Sequence, residues 1–87
     1  MGEPLHFTVV GAGHGGKAMA AHLALMGFEV LLYNRTLSNI AAISARGGID
    51  LYSFDGGPHG FGKLFSTTSD WATALAKADV VMIVVPS

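Results

Sequence analysis

Short apolar runs alternate with segments of helical periodicity in the first third of the chain. Residues 6–10 form an apolar, β-branched run that stops at Gly11, which predicts a buried strand. Apolar residues then recur at helical spacing over 17–26, and Gly27 is well placed to end that helix. Residues 28–33 are again mostly apolar, so they predict a second strand.

The middle of the chain predicts a second helix over residues 37–46. Its apolar residues recur at helical spacing, and they are Leu37, Ile40, Ala41 and Ile43. Thr36 and Ser38 are both candidates for its N-cap. Gly47 and Gly48 follow directly, so we expect the helix to end there.

A hairpin, a last helix and a last strand complete the pattern. Residues 49–53 alternate between apolar and polar, and residues 63–66 can pair with them across a glycine-rich tip. Asp70 is then the N-cap of a last helix that includes Ala78. Residues 80–85 are all apolar and predict a strand buried on both faces.

Solidly apolar strands that alternate with helices are typical of α/β folds with a parallel sheet. We therefore predict a partial Rossmann fold, which is a doubly wound and mainly parallel sheet, with strand order 3-2-1-4 and an inserted β-hairpin. The chain ends two residues after its last predicted strand, with no helix to cover the other face of that strand. We expect residues 1–87 to be the N-terminal part of a longer protein.

Composition and charge narrow the range of functions. Only 13% of the residues are charged, against about 25% in a typical soluble domain, and the net charge of −1 provides no basic field for nucleic acid or an acidic membrane. The chain has no cysteine, which fits a reducing compartment, and no basic run of the secretory type precedes Leu5. Its longest apolar run, residues 80–85, is far shorter than the ~20 residues of a membrane-spanning helix. We expect a cytoplasmic protein without a nucleic-acid or membrane partner.

A glycine-rich hexapeptide between the first predicted strand and the first helix is the strongest chemical signal. Its residues are Gly11, Ala12, Gly13, His14, Gly15 and Gly16, and they fit the pattern G-x-G-x-x-G. In this pattern the first glycine makes the turn, the second lets the backbone approach a pyrophosphate, and the third lets the helix pack near the strand. The helix N-terminus adds N–H groups and partial positive charge. The hexapeptide predicts a dinucleotide site, with a purely structural turn as the alternative.

The end of the second strand bears on which dinucleotide binds. Proteins that prefer NAD place an Asp or Glu there, about 20 residues past the loop, to accept hydrogen bonds from the ribose 2′-OH. This chain has Asn34, Arg35 and Thr36, and its nearest acid, Glu29, lies at the other end of the strand. Asn34 can bond a ribose hydroxyl, and Arg35 offers a charged fork for a 2′-phosphate or a plane that stacks on adenine. We predict NADP in preference to NAD, with an exposed strand-end role for Arg35 as the alternative.

Further candidate positions carry weaker signals. Val85 ends the last predicted strand and Pro86 follows it, at the predicted crevice. The backbone around Val84, Val85 and Pro86 is therefore expected to border the cofactor, although proline is also an ordinary strand terminator. The four histidines lack metal-ligand spacing, and His14 is either a pyrophosphate contact or an exposed loop residue. Trp71 is expected to pack the last helix onto the sheet. We assign no metal ligand and no catalytic residue.

Four segments of the chain together carry a family resemblance. They are T-V-V-G-A-G-H-G-G-K-A-M-A-A-H-L-A at residues 8–24, G-F-G-K-L at 60–64, T-T-S-D at 67–70 and A-D-V-V-M-I-V-V-P at 78–86. These segments resemble the start of the octopine/nopaline (opine) dehydrogenase family. The glycine loop is shared with glycerol-3-phosphate dehydrogenases and ketopantoate reductases, whereas the hairpin and the last segment favour the opine group.

The resemblance implies an enzyme that uses NADPH or NADH to reduce the imine formed between an amino acid and a 2-oxo acid. In that family the catalytic and substrate-binding residues belong to a helical C-terminal domain, which is absent from this chain. The resemblance therefore implies that the chain binds cofactor without turnover, and that the small-molecule substrate binds through the absent domain. A glycerol-3-phosphate dehydrogenase or ketopantoate reductase relative and a non-catalytic dinucleotide sensor are the alternatives, and self-association as a homo-oligomer stays open.

Overall fold

The computed structural model describes residues 5–11, 13–36, 38, 40–51 and 60–84. Its elements are, in chain order, β1 (His6–Val10), α1 (His14–Leu25), β2 (Glu29–Tyr33), α2 (Ala41–Arg46), β3 (Gly48–Leu51), β4 (Gly60–Lys63), β5 (Ser66–Thr68), α3 (Trp71–Leu75) and β6 (Val80–Ile83). The described strands form a four-stranded sheet in the order β5-β2-β1-β6 and a two-stranded sheet of β3 and β4.

All pairings in the four-stranded sheet are parallel. β1 pairs with β2 from His6 opposite Glu29 to Val10 opposite Tyr33, and it pairs with β6 on its other side. β5 pairs with β2. The third and fourth strands of this sheet along the chain thus lie on opposite sides of the first two, as the order 3-2-1-4 requires. The predicted α/β class, with its parallel sheet and inserted hairpin, is confirmed.

The two faces of the parallel sheet pack against different elements. Val9 and Leu32 are fully buried, and they lie in one apolar cluster with Leu23 of α1. Because side chains alternate along a strand, Thr8 points to the opposite face. There its hydroxyl donates a hydrogen bond of 2.6 Å to the backbone carbonyl of Ala74 in α3. α1 and α3 therefore cover opposite faces, which is the arrangement of a doubly wound sheet.

α1 begins at His14, three residues before the predicted start. Gly13 is its N-cap, and the N–H of Lys17 donates to the carbonyl of Gly13 at 2.9 Å. Glycine has a low helix propensity, so the two glycines in this first turn concealed it from the sequence pattern. The other end is as predicted, because Gly27 has a φ of +97° directly after the C-cap.

α2 begins at Ala41, four residues later than predicted, and its N-cap is Ile40. The prediction of Thr36 or Ser38 as N-cap is therefore wrong. Ile40 makes no side-chain cap bond. Ile40 is only 1% exposed and belongs to the core, so burial of an apolar side chain, rather than a polar cap, accompanies the start of this helix. Gly47, at a φ of +78°, ends the helix as predicted.

The predicted hairpin is present, but its second strand is displaced along the chain. β3 and β4 are antiparallel, with Gly48 opposite Lys63 and Leu51 opposite Gly60. The predicted strand 63–66 is wrong, because β4 ends at Lys63 and Ser66 begins β5 in the other sheet. The sequence of β5 is Ser-Thr-Thr and carries no apolar signal, so only its long-range pairing with β2 identifies it as a strand. The predicted tip of the hairpin falls outside the described residues.

β6 lies at the edge of the sheet in the described part of the chain. Val80, Val81 and Ile83 are 38%, 42% and 68% exposed, so the prediction of burial on both faces is wrong. α3 ends at Leu75, without the predicted extension to Ala78, and it lies against β2 and β5. The apolar composition of β6 therefore predicted a strand but not what covers it.

Candidate functional site

The glycine loop, residues 11–16, leaves β1 between the ends of β2 and β6. The N–H of Gly11 donates to the carbonyl of Tyr33 in β2 at 2.9 Å. Gly11 has a φ of +112°, and a Cβ at this position would lie 2.6 Å from the carbonyl oxygen of Val84. Both its conformation and its surroundings therefore require glycine. The turn brings the loop to the carboxyl ends of the parallel strands, where ligands bind in open α/β sheets.

Gly16 brings α1 against this turn. A Cβ on Gly16 would overlap the carbonyl oxygen of Gly11. The third glycine of the motif thus allows the close packing of helix on strand that the sequence pattern predicts.

Gly13 has a different environment from the other two motif glycines. It is exposed, and a Cβ built on it would meet no described atom within 4 Å. The packing of the described residues therefore does not require glycine at this position. The open space lies at the N-cap of α1, whose first turn contains no acidic residue to oppose the positive end of the helix dipole. A backbone that borders open space at a helix N-terminus fits a phosphate group.

The turn after β2 presents Arg35 to solvent. The backbone N–H of Asn34 donates to the carbonyl of Thr68 at 3.1 Å, and its side-chain Nδ2 donates to the carbonyl of Thr36 at 3.0 Å. Asn34 thus holds the turn that carries Arg35, a role that the sequence pattern did not reveal. Arg35 and Thr36 are exposed, and Arg35 forms no ion pair with the described carboxylates.

Two acidic residues, Glu29 and Asp70, form contacts away from this turn. Glu29 is at the start of β2, as predicted, where its Oε2 lies 3.0 Å from Nε2 of His6. Asp70 caps α3, because its Oδ2 accepts hydrogen bonds from the hydroxyl of Thr73 at 2.6 Å and from the backbone N–H of Thr73 at 2.9 Å. The side-chain bond from Thr73, followed by the backbone bond, lowers the pKa of the Asp70 carboxyl.

An open groove of about 420 Å³ joins the glycine loop to the end of β2. Its lining consists of Val10, Gly11, Tyr33, Asn34, Arg35 and Trp71. The structure thereby brings together three of the predicted site residues, which are Gly11, Asn34 and Arg35. Sequence reasoning missed Tyr33 and Trp71 as lining residues, since one ends a strand and the other begins a helix almost 40 positions later. A volume of this order is within the range of small-molecule sites.

A second cavity, of about 200 Å³, lies at the opposite ends of the strands. Its walls include His6 and Glu29, the first residues of β1 and β2. None of the predicted site residues lines it. The groove at the carboxyl ends is therefore the candidate site.

The remaining predicted positions differ in what the structure describes. Ala12, Val85 and Pro86 fall outside the described residues, and His14 is described only as the first residue of α1. Gly15 is exposed, and a Cβ on it would lie 3.1 Å from the side chain of Val84. In the described part of the chain, no group of three or more His, Asp or Glu side chains could hold a metal ion. No helix in that part is long and apolar enough to cross a membrane.

Residues 6–87 match the family described as the NAD binding domain of 6-phosphogluconate dehydrogenase. The chain belongs to this family. It is therefore an NAD(P)-binding domain of the type found in dehydrogenases, as the glycine loop and its flanking strand and helix predicted.

Two relatives of this NAD(P)-binding domain match nearly all of it. A glycerol-3-phosphate dehydrogenase (NAD(P)+) of Hydrogenovibrio crunogenus is 38% identical over 86 residues, which are 98% of this chain and 24% of that protein. An opine dehydrogenase of Arthrobacter sp. (strain 1C) is 39% identical over 85 residues, which are 98% of this chain and 23% of that protein. The chain thus spans about a quarter of the length of these relatives. The resemblance to opine dehydrogenases is confirmed, and the glycerol-3-phosphate dehydrogenase matches no better.

A solved structure shares the fold of this domain. The match to the imine reductase from Pseudomonas sp. covers 93% of this chain and 22% of the imine reductase chain, with a TM-score of 0.63 and 18% sequence identity. At that identity the likeness concerns the fold alone, and it supports the Rossmann assignment.

Proposed function

We propose that the glycine loop binds the pyrophosphate of NADPH and that Asn34, Arg35 and Thr36 bind its adenosine ribose and 2′-phosphate. The observation that carries this proposal is the groove that joins Gly11 to Arg35, because the loop backbone and an exposed guanidinium border the same open space. The open space in front of Gly13 supports the position of the pyrophosphate. The proposed contact set is completed by Ala12, His14, Gly15, Gly16, Val85 and Pro86.

The charges around the groove support NADP in preference to NAD. Arg35 supplies a positive charge, and its planar fork suits a phosphate. Glu29 is paired with His6 at the far end of β2, and Asp70 is held in the cap of α3 by Thr73. Among the described residues, the lining of the groove includes the guanidinium of Arg35, just after β2, and contains no carboxylate.

The complete protein that contains this chain provides the test, by titration with NADPH. We expect Gly13→Val to weaken NADPH binding at least about tenfold, because a branched side chain would occupy the space proposed for the pyrophosphate. The fold should persist, since Gly13 has an ordinary extended backbone and open surroundings. Ala18→Val introduces the same side chain at an exposed position within α1 and should leave the affinity unchanged. Unchanged affinity in Gly13→Val, with wild-type binding intact, would remove the loop from the site.

For the complete protein we propose the reduction of an imine formed between an amino acid and a 2-oxo acid, in the cytoplasm. The opine dehydrogenase of Arthrobacter sp. supports this activity. The bound nicotinamide would supply the hydride, and this chain would position it, while residues outside this chain would bind the substrate. The glycerol-3-phosphate dehydrogenase relative supports a second candidate, because its identity and matched length are nearly those of the opine dehydrogenase.

An assay of NADPH consumption separates these activities. Turnover with an amino acid plus a 2-oxo acid, and none with dihydroxyacetone phosphate, is the expected result. The reverse preference would favour the glycerol-3-phosphate reaction. NADPH binding without turnover of either substrate would contradict both and favour a sensor.

A further inference from the structure

Trp71 is a large aromatic residue that stays substantially exposed in the groove. It is the first residue of α3, it lines the groove together with Asn34 and Arg35, and it is 46% exposed. Its ring meets the ring of Tyr33 edge to face, with centroids 4.7 Å apart and an angle of 68° between the planes. The predicted packing of Trp71 on the sheet is therefore only part of its environment, because nearly half of the residue is exposed.

The position of Trp71 is held from both sides along the chain. Immediately before it, Asp70 accepts hydrogen bonds from the backbone N–H and the hydroxyl of Thr73. Three residues after it, the carbonyl of Ala74 accepts the buried hydrogen bond from Thr8 in β1, an inner strand of the sheet. These contacts fix the start of α3 relative to the sheet. An aromatic side chain on such a fixed backbone can present its exposed surface to a ligand with little loss of conformational entropy.

We infer that Trp71 stacks on the adenine base of the bound dinucleotide. The inference rests on the proposed function, which positions the adenosine ribose at Asn34 and Arg35. Adenine is attached directly to that ribose, so the base must lie in the part of the groove next to these residues. The described lining contains two aromatic residues, Tyr33 and Trp71. Trp71 has the larger ring system and is the more exposed of the two.

This assignment also separates two roles that the sequence left open for Arg35. If Trp71 holds the base, the guanidinium of Arg35 is available for the 2′-phosphate. Trp71 then contributes equally to NADP and NAD binding, because adenine is common to both. Arg35 contributes to the difference between them. The two side chains therefore determine separate properties of one site, which are affinity for the base and selectivity for the phosphate.

The experiment compares Trp71→Ala, Trp71→Phe and the wild type in the complete protein that contains this chain. The ligands are NADPH, adenosine 2′,5′-bisphosphate, which contains the base, and reduced nicotinamide mononucleotide, which lacks it. We expect Trp71→Ala to weaken binding of the first two about tenfold, from the typical contribution of aromatic stacking on a base. Trp71→Phe should stay within about threefold of the wild type, because phenylalanine retains an aromatic face.

Leu75→Ala is the matched control, since Leu75 is 40% exposed on the same helix and does not line the groove. It should bind both adenine ligands as the wild type does, and Trp71→Ala should bind reduced nicotinamide mononucleotide as the wild type does. In the wild type, adenosine 2′,5′-bisphosphate should quench tryptophan emission, and Trp71→Phe should lack that change. This fluorescence comparison tests the stacking role of Trp71 even if Trp71→Ala does not fold.

Two results would overturn the stacking role while leaving the proposed function intact. One is wild-type affinity for adenosine 2′,5′-bisphosphate in a folded Trp71→Ala protein. The other is quenching that persists unchanged in Trp71→Phe. Failure of the wild-type protein to bind NADPH at all would instead overturn the proposed function, and the stacking role with it.

Discussion

The backbone of Gly16 lies directly against the carbonyl oxygen of Gly11, and the contact leaves no room for a side chain on Gly16. It joins the first turn of α1 to the turn that leaves β1. Gly11 cannot easily yield, because it is itself packed against the carbonyl of Val84 and has a positive φ. This backbone contact therefore helps to set how closely α1 packs against β1.

Gly16→Ala should destabilise the domain by about 3 kcal/mol or more, because even a methyl group would force α1 away from the sheet. Chemical denaturation followed by circular dichroism measures the effect. Gly13→Ala is the matched control, since a Cβ on Gly13 meets no described atom within 4 Å. Equal unfolding midpoints for the two variants would show that the helix shifts without cost.

Arg35→Ala should weaken NADPH binding about ten- to hundred-fold more than NADH binding. A hydrogen bond to a charged group contributes roughly 1.5–3 kcal/mol, and only NADPH carries the 2′-phosphate. Fluorescence titration with both cofactors measures the difference. Arg46→Ala is a suitable control, because Arg46 pairs with Asp50 and packs on Phe61, in the part of the fold formed by α2 and the hairpin. Equal losses for the two cofactors would contradict a phosphate contact.

Thr8→Val should lower the free energy of unfolding by about 1–2 kcal/mol. The substitution keeps the shape of the buried side chain but removes the donor to the carbonyl of Ala74. Thermal unfolding measures the loss. Thr8→Ser retains the hydroxyl and should retain the hydrogen bond, so it should be less destabilised than Thr8→Val if the bond matters more than the methyl group. The opposite ranking would assign the stability to packing.

Asp70→Ala should lower the melting temperature at neutral pH, and the difference from the wild type should disappear in acid. Its hydrogen bonds with Thr73 lower the pKa of the carboxyl in the folded state, so the stabilisation is present above the unfolded-state pKa. It is lost as the pH falls through the lowered pKa of the folded state, below about 4. Asp70→Asn should keep a cap without this pH dependence. Melting curves across the acid range would contradict the prediction if the difference persisted.

The local elements of the fold were predictable because their signals act between near neighbours. The run of β1 ends at a glycine with a positive φ, and Gly27 and Gly47 end their helices in the same way. Asp70 was identified as an N-cap from its position alone, and its bonds to Thr73 bear this out. The start of α2 was not predictable, because it coincides with the burial of Ile40 in the core rather than with a polar cap.

In the candidate site too, the residues with a local sequence signal were predictable and the others were not. Gly11, Gly16 and the turn around Arg35 follow from a motif and its distance to the end of the next strand. Trp71 does not, since it comes 36 positions after Arg35 and reaches the groove only because α3 crosses the sheet beside β2. No periodicity near Trp71 distinguishes a groove wall from a core residue.

The amino-acid sequence by itself determined the alternation of strands and helices, the glycine turn and the absence of a carboxylate at the end of β2. Each of these depends on residue types within a few positions of one another. Only the tertiary structure decided that the polar Ser66–Thr68 segment is a strand, that β6 is exposed at the sheet edge, and that Trp71 joins the groove. These features depend on hydrogen bonds and packing between segments far apart in the chain, which local pattern does not encode.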